Sequence, residues 1–301
     1  MKTNLLKNTA HIFGAIFVLL LLCCLIPAKA DAATYQTGSL YHDSTKLGNT
    51  YFWTSDYKQL RCGDSQDGEG TLLFDCAAGG SDMVWLSHKL ISNGNTVYFS
   101  VNDSVNSCYV IYSCKTDGTG LKKIKTIKTP EGTETYINLV SVYNNVLFFD
   151  RYVGKDEEPS TKDGLYSIGL KSGTLKKRLS NFVFDYAAGG TRYIYYLKDN
   201  SDGSVQLRAY DCKSFKSVSI AKKANALGYY DGKLYYSKYT SSSIKVYSCT
   251  ASGKDDKLVV TLNNAQDLSM KGSVITYRVD AGNWNFVTYT YNVKTKQTQQ
   301  V

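Results

Sequence analysis

Proline and histidine are nearly absent from this chain: three of each occur in 301 residues, and Pro27 and His11 lie within the first thirty. With so few prolines, strand interiors are rarely interrupted. Only His42 and His88 remain beyond residue 30, so acid–base chemistry near neutral pH has little histidine to draw on. No sustained apolar run of helical period follows the first thirty residues, which excludes a helical fold. Catalytic signatures are missing as well. There is no Gly-x-Ser-x-Gly elbow, no Ser-x-Asp-x-Gly-x-x-Trp box and no Cys-x-x-Cys pair.

Tyrosine is abundant, with 25 residues set in short alternating segments between Gly, Asp and Ser turns. The stretch 227–260, LGYYDGKLYYSKYTSSSIKVYSCTASGKDDKLVV, starts with a Tyr-rich strand, a tight Asp231-Gly232 turn and a second strand at 233–237. A polar loop through Ser241-Ser242-Ser243, a third strand at 244–249 and an apolar fourth at 257–261 follow. Alternation of this kind between turn residues marks antiparallel strands.

The rest of the chain copies that unit. The second strand recurs as TYFW at 50–53, VYFS at 97–100, LFFD at 147–150, IYYL at 194–197, LYYS at 234–237 and ITYR at 275–278, with starts 47, 50, 47, 40 and 41 residues apart. The third recurs as IYSCKTDG at 111–118, LYSIGLKSG at 165–173, AYDCKS at 209–214, VYSCTASG at 246–253 and YNVKTK at 291–296. First strands are visible as YINLVSV at 136–142, FVFDYAAGG at 182–190 and ALGYYDG at 226–232. Four short strands per forty to fifty residues, six times over, predict an all-β fold: a six-bladed β-propeller with four antiparallel strands per blade. A pair of β-sandwiches would not need six units to match in register.

Residues 1–30 read as a secretory signal peptide. Lys2 and Lys7 make a basic start, 12–26 is an unbroken apolar run, and Ala28-Lys29-Ala30 is a small-x-small cleavage site before Asp31. The run is shorter than the about twenty residues a spanning helix needs. Leu22 and Cys23 stand where a lipobox would need Gly, Ala or Ser, which argues against acylation. A single domain, 31–301, remains: 271 residues with a formal charge near +6 once Lys2, Lys7 and Lys29 are gone, enough for a large core and six blades. Residues 31–38 are left to supply an outer strand to the last blade or to trail free. With no spanning segment after cleavage, the mature protein is expected outside the membrane, as a monomer. Its Lys and Arg are scattered through turns, which argues against nucleic acid as a partner.

Six cysteines follow the leader: Cys62, Cys76, Cys108, Cys114, Cys212 and Cys249. An even number in a secreted chain suggests disulfides. Yet Cys114, Cys212 and Cys249 share one repeat position with Ile168 and Val293, where cysteine acts as a small buried hydrophobe. Cys62 and Cys76, flanking one hairpin of the first blade, are the one pair that reads as a candidate bridge. The Asp-Gly pairs at 117–118, 163–164, 202–203 and 231–232 lack the alternating ligands of a calcium loop and read as turns. Neither a metal nor a cofactor is called for.

The strings IYSCKTDGTGLKKI (111–124) and LYYSKYTSSSIKVYSCTASGKDDKLV (234–259) resemble the YWTD repeat of low-density-lipoprotein-receptor-type propellers. They are more similar to a secreted bacterial six-bladed propeller domain of unknown function, and TYFWTSD at 50–56 is nearest to the receptor motif. The resemblance covers about residues 39–301 and its motifs are structural. The Trp-Thr-Asp core is missing from blades two to six, so no receptor ligand site is carried across. What the resemblance implies is the fold and a Gram-positive bacterial surface as its setting.

In propellers the loops joining second and third strands line one face around the central channel. Here they fall at 55–58, 102–107, 151–163, 198–204, 238–243 and 278–284. Large aromatics in such loops are packed or used. Tyr57, Tyr152, Tyr239 and Trp284, with Arg151 and Arg278 nearby as donors, are therefore the candidate ligand-binding residues; such a set suits sugar or peptide recognition. The same rings also suit bracing between blades. Trp53 and Trp85 sit within strands and are assigned to the core. The cluster Asp156-Glu157-Glu158 reads as a solvated loop tip or as a cation or glycan contact. No catalytic residue is assigned. These features predict a non-catalytic binding module, secreted or at the cell surface, that presents propeller-face loops to a protein, peptide or cell-wall glycan partner. An extracellular glycan-active hydrolase or lyase on the same scaffold, and a structural or sensory subunit of a surface complex, are the alternatives.

Overall fold

The chain reverses wherever small polar residues accept left-handed backbone: Asn144 and Asn145 at φ 47° and 58°, and Asp231 and Gly232 at 48° and 74°, form two-residue hairpin turns. A computed structural model describes residues 35–39, 44–65, 69–79, 83–131, 133–154, 162–180, 182–187, 192–282 and 285–301. The expected leader over 1–30, His42, the cluster Asp156-Glu157-Glu158 and Trp284 lie outside the described residues.

Strand β1 (Tyr35–Ser39) precedes the first sheet, which holds β2 (Ser44–Leu47), β3 (Thr50–Ser55), β4 (Gln59–Gly63) and β5 (Thr71–Asp75). A 3-10 turn, Cys76–Gly79, leads to the second sheet. There β6 (Val84–Leu86) and β7 (Lys89–Asn93) share the place of one strand beside β8 (Thr96–Asp103), followed by β9 (Cys108–Lys115) and β10 (Lys122–Lys128). The third sheet is β11 (Glu134–Tyr143), β12 (Val146–Gly154), β13 (Gly164–Gly169) and β14 (Leu175–Leu179). The fourth is β15 (Val183–Ala187), β16 (Tyr193–Asp199), β17 (Val205–Asp211) and β18 (Lys216–Lys222). The fifth is β19 (Asn225–Tyr230), β20 (Lys233–Tyr239), β21 (Ser243–Thr250) and β22 (Lys257–Asn263). The sixth is β23 (Ala265–Lys271), β24 (Val274–Asp280), β25 (Phe286–Asn292) and β26 (Gln297–Gln300). Within each sheet the strands follow chain order and pair antiparallel, the meander of a propeller blade. First strands of successive blades touch (β7 with β11, β11 with β15, β15 with β19, β19 with β23), which sets them nearest the axis. The fold is all-β, a six-bladed β-propeller. No helix among the described residues is long and apolar enough to cross a membrane.

The period of two along each second strand builds the core. Residues at the second position of the repeat, Tyr98, Phe148, Tyr195 and Tyr235, face the next blade; those at the third, Phe99, Phe149, Tyr196, Tyr236 and Tyr277, face the previous one. Each such ring, fully buried, contributes about 2 kcal/mol of transfer free energy. Five apolar clusters result, joining blades one to two, two to three, three to four, four to five and five to six. No cluster joins six to one among the described residues. The outer face of the sixth blade presents Thr276 and Arg278 instead.

Three expectations need correction. The first-blade repeat starts one residue later than TYFW, at Tyr51, because Phe52 points into the cluster shared with the second blade. A one-residue slip exchanges the two faces of a strand. Trp53 therefore faces away from the second blade, half-buried over Gly63 and Gly70 of its own sheet. Residues 35–39 neither trail free nor join the last blade: β1 pairs antiparallel with β7, from Tyr35 opposite Asn93 to Ser39 opposite Lys89. Finally, Cys62 and Cys76 are free buried thiols, not a bridge. Cys76 N–H donates to the carbonyl of Lys58 at 2.7 Å, just before β4 and four residues from Cys62. At the rise of a strand that is about 13 Å, twice the Cα separation a disulfide tolerates.

Candidate functional site

The link from β10 to β11 leaves a gap beside the second blade, and a cleft of about 470 Å³ opens there. Trp85, His88, Asn102 and Tyr109 of the second blade form one wall. The other is β11, where exposure alternates strictly: Glu134, Tyr136 and Asn138 outward, Thr135 and Ile137 inward. Glu131 stands on the link itself. Trp85 is 38% exposed and Tyr136 51%, so two large aromatic faces border the opening. Trp85 thus corrects its assignment to the core. It lies in β6 between Val84 and Leu86, which turn into the cluster of the first two blades, so the alternation of the strand points Trp85 to the opposite, open side.

Hydrogen bonds fix this wall. The Tyr136 hydroxyl donates to Glu134 Oε2 at 3.2 Å, which raises the phenol pKa. Tyr109 is buried, and burial pushes its pKa up to about 12. Thr135 is only 7% exposed, and its Oγ1 has no hydrogen-bond partner.

Behind the cleft three blades meet. Asn138 N–H donates to Asp150 Oδ1 at 3.0 Å. Burial raises the Asp150 pKa against the pull of the Asn138 side chain and Lys89. Burial lowers the Lys89 pKa while Asp150 holds it up, and the Lys89 ammonium lies 4.2 Å from the Phe184 ring centre. Lys89 comes from the second blade, Asp150 from the third and Phe184 from the fourth. Asp185 follows Phe184, accepts the Ala226 N–H at 2.6 Å and also has its pKa raised by burial. No group of three or more His, Cys, Asp or Glu side chains gathers to hold a metal among the described residues.

The sequence candidates divide. Arg151 and Tyr152 lie on β12 beside this wall: Tyr152 is opposite Tyr136 with ring centres 6.3 Å apart, and Arg151 Nη2 donates to the Lys128 carbonyl at 2.9 Å. Tyr57 braces the first two blades, its ring edge-on to His88 at 4.5 Å and its carbonyl accepting Leu86 N–H. Tyr239 and Arg278 are elsewhere, on blades five and six; Tyr239 is 57% exposed and Arg278 is paired with Asp267. Trp85, Thr135, Tyr136, Lys89 and Asp185 were missed. Asp150 carried a signal, since it alone puts an acid at the fourth position of the repeat, and Tyr136 carried another in the alternation of its strand. The meeting of Lys89 with Phe184 had none.

No protein-family model matches this chain, and no curated protein matches it. Solved structures do. A prolyl endopeptidase structure superposes with a TM-score of 0.56 at 13% identity, over 98% of this chain and 47% of that one. Prolyl oligopeptidase B from Galerina marginata, bound to a 35mer hydrolysis and macrocyclization substrate, gives 0.56 at 12% identity, over 90% of this chain and 44% of that one.

 The nidogen/laminin complex gives a TM-score of 0.42 at 9% identity, over 89% of this chain and 92% of that one. An oligogalacturonate lyase in complex with manganese gives 0.43 at 10% identity, over 88% of this chain and 65% of that one. The chain spans less than half the length of the two peptidase chains it resembles. At these identities the likeness shows the fold alone, that of a β-propeller.

Proposed function

We propose that this protein is a non-catalytic binding module, secreted or displayed at a Gram-positive bacterial surface, that takes its ligand in the cleft between the second and third blades. One observation carries the reading: Trp85 and Tyr136, both exposed, border a cleft whose walls also offer carboxylates and amides. Water-exposed rings around a concavity mark a place where a ligand replaces solvent. Tyr152 and Arg151, singled out in the sequence, extend the same wall. The partner is a glycan, a peptide or a protein segment. Peptide hydrolysis belongs to the peptidases named above, proteins of about twice this length, and is not carried over.

The experiment is a binding titration of the purified protein against a glycan array and a peptide library, repeated with Trp85→Ala and Tyr136→Ala. Each variant is expected to weaken the interaction by about tenfold or more. Ligand binding that both variants leave intact would move the site elsewhere.

A further inference from the structure

We propose that this cleft takes a glycan chain that is neutral or bears amino groups, and that it rejects uronate chains. The proposal rests on the reading of the cleft as the binding site. Trp85 and Tyr136 offer flat apolar faces, and Tyr152 continues the surface 6.3 Å beyond Tyr136. Sugar rings stack on such faces. The remaining lining is rich in short hydroxyl and amide side chains such as Ser104, Thr133 and Asn102, which match a chain of hydroxyls, set among Leu86, Pro130 and Ile137.

Thr135 points to a ligand independently. It lines the cleft, is 7% exposed, and its Oγ1 lacks a hydrogen-bond partner. A buried hydroxyl is normally satisfied, and a sugar hydroxyl or amide in the cleft would satisfy this one.

Charge sets the class. Glu131 and Glu134 line the cleft, and no Lys or Arg is among its described lining residues. The neighbouring cations are engaged: Arg151 with the Lys128 carbonyl, Lys89 over Phe184 beside Asp150. A uronate would meet like charge, whereas an ammonium or hydroxyl meets acceptors.

The test is calorimetric titration of the protein with tri-N-acetylchitotriose and cellotriose (neutral), glucosamine trimer (cationic), trigalacturonate (anionic) and trilysine. A neutral or cationic trisaccharide is expected to bind, and trigalacturonate is not. Thr135→Val, close to isosteric, is expected to weaken the trisaccharide by about three- to tenfold at an unchanged melting temperature. Replacing both acids, Glu131→Gln with Glu134→Gln, is expected to admit trigalacturonate. Trigalacturonate binding the unaltered protein as tightly as the others overturns the proposal. If trilysine alone binds, and Trp85→Ala abolishes it, the glycan assignment falls while the cleft remains the site. If no probe binds, and array and library are silent too, both fall.

Discussion

In the fifth blade Tyr236 lies nearly parallel to Tyr247, ring centres 5.4 Å apart and planes 11° from parallel. They are opposite each other across β20 and β21. The same relation recurs as Phe99 with Tyr112, Phe149 with Tyr166 and Tyr277 with Tyr289. The tyrosine of IYSC, LYSI and VYSC is thus the cross-strand partner of the aromatic third position, as is Tyr289 in the sixth blade, whereas in the fourth Arg208 stands opposite Tyr196. Tyr236→Ala is expected to cost about 3–5 kcal/mol in urea unfolding. Tyr236→Phe keeps the stack and loses the 2.6 Å bond from the hydroxyl to Asp256, at about 1 kcal/mol. Equal costs for the two would show that packing is not what the ring supplies.

Asp185 ties the fourth blade to the fifth through Ala226 N–H. Burial raises its pKa above the ordinary 3.8, the bond to Ala226 pulling the other way. The folded protein therefore holds this proton to a higher pH than the unfolded chain, and stability falls as pH rises from 3.8 through the raised folded value. Asp150 adds to the same slope. Asp185→Asn retains an acceptor and should flatten the slope; Asp185→Ala should cost about 1–3 kcal/mol. Urea melts from about pH 4 to about pH 7 measure both. A steeper slope in the Asn variant would refute the assignment.

Gly164 opens β13 at φ 138°, and a Cβ there would overlap the Leu179 carbonyl oxygen. Gly232 is also left-handed, at φ 74°, but has open space around it. Gly164→Ala is expected to cost about 3 kcal/mol or more, and Gly232→Ala about 1 kcal/mol. Thermal melts that rank them in the opposite order would contradict the packing at Leu179.

The six described cysteines are buried and free. Burial pushes Cys76 up to about 11, and Cys114 and Cys249 up to about 12. Ellman's reagent at about pH 8 should therefore react slowly with native protein lacking residues 1–30 and promptly with all six thiols in denaturant. A mass showing Cys62 joined to Cys76 would sink this account.

The blades were legible because each one spells the same period-two strands between Gly and Asp turns. The thiols are buried as expected, but not at one shared position: Cys114, Ile168 and Cys249 stand opposite the first residue of the second strand, where blades four and six have Tyr210 and Tyr291, two residues before Cys212 and Val293. Facing direction was less legible: in the first blade both Phe52 and Trp53 are aromatic, so the pattern alone admits two registers one residue apart. The pairing of β1 with β7 was hidden because an edge-to-edge contact depends on backbone groups. Arg151 and Tyr152, read from sequence as loop residues, lie instead on β12 opposite β11. Trp85 was not foreseen, because strand membership suggested burial. The Lys89, Asp150 and Phe184 meeting unites three repeats, and no local pattern encodes it.

Among the described residues, five apolar clusters join the six sheets and none joins the sixth to the first, which leaves the first and last blades with one such junction each. A blade inside a sealed circle comes away only when two junctions break, but a terminal one needs a single rupture. Its stability then depends on its own ladder and one neighbour, as in a linear array. The last forty residues are accordingly where opening should start, where proteases should first cut, and where a pull on the C-terminus should peel the molecule blade by blade.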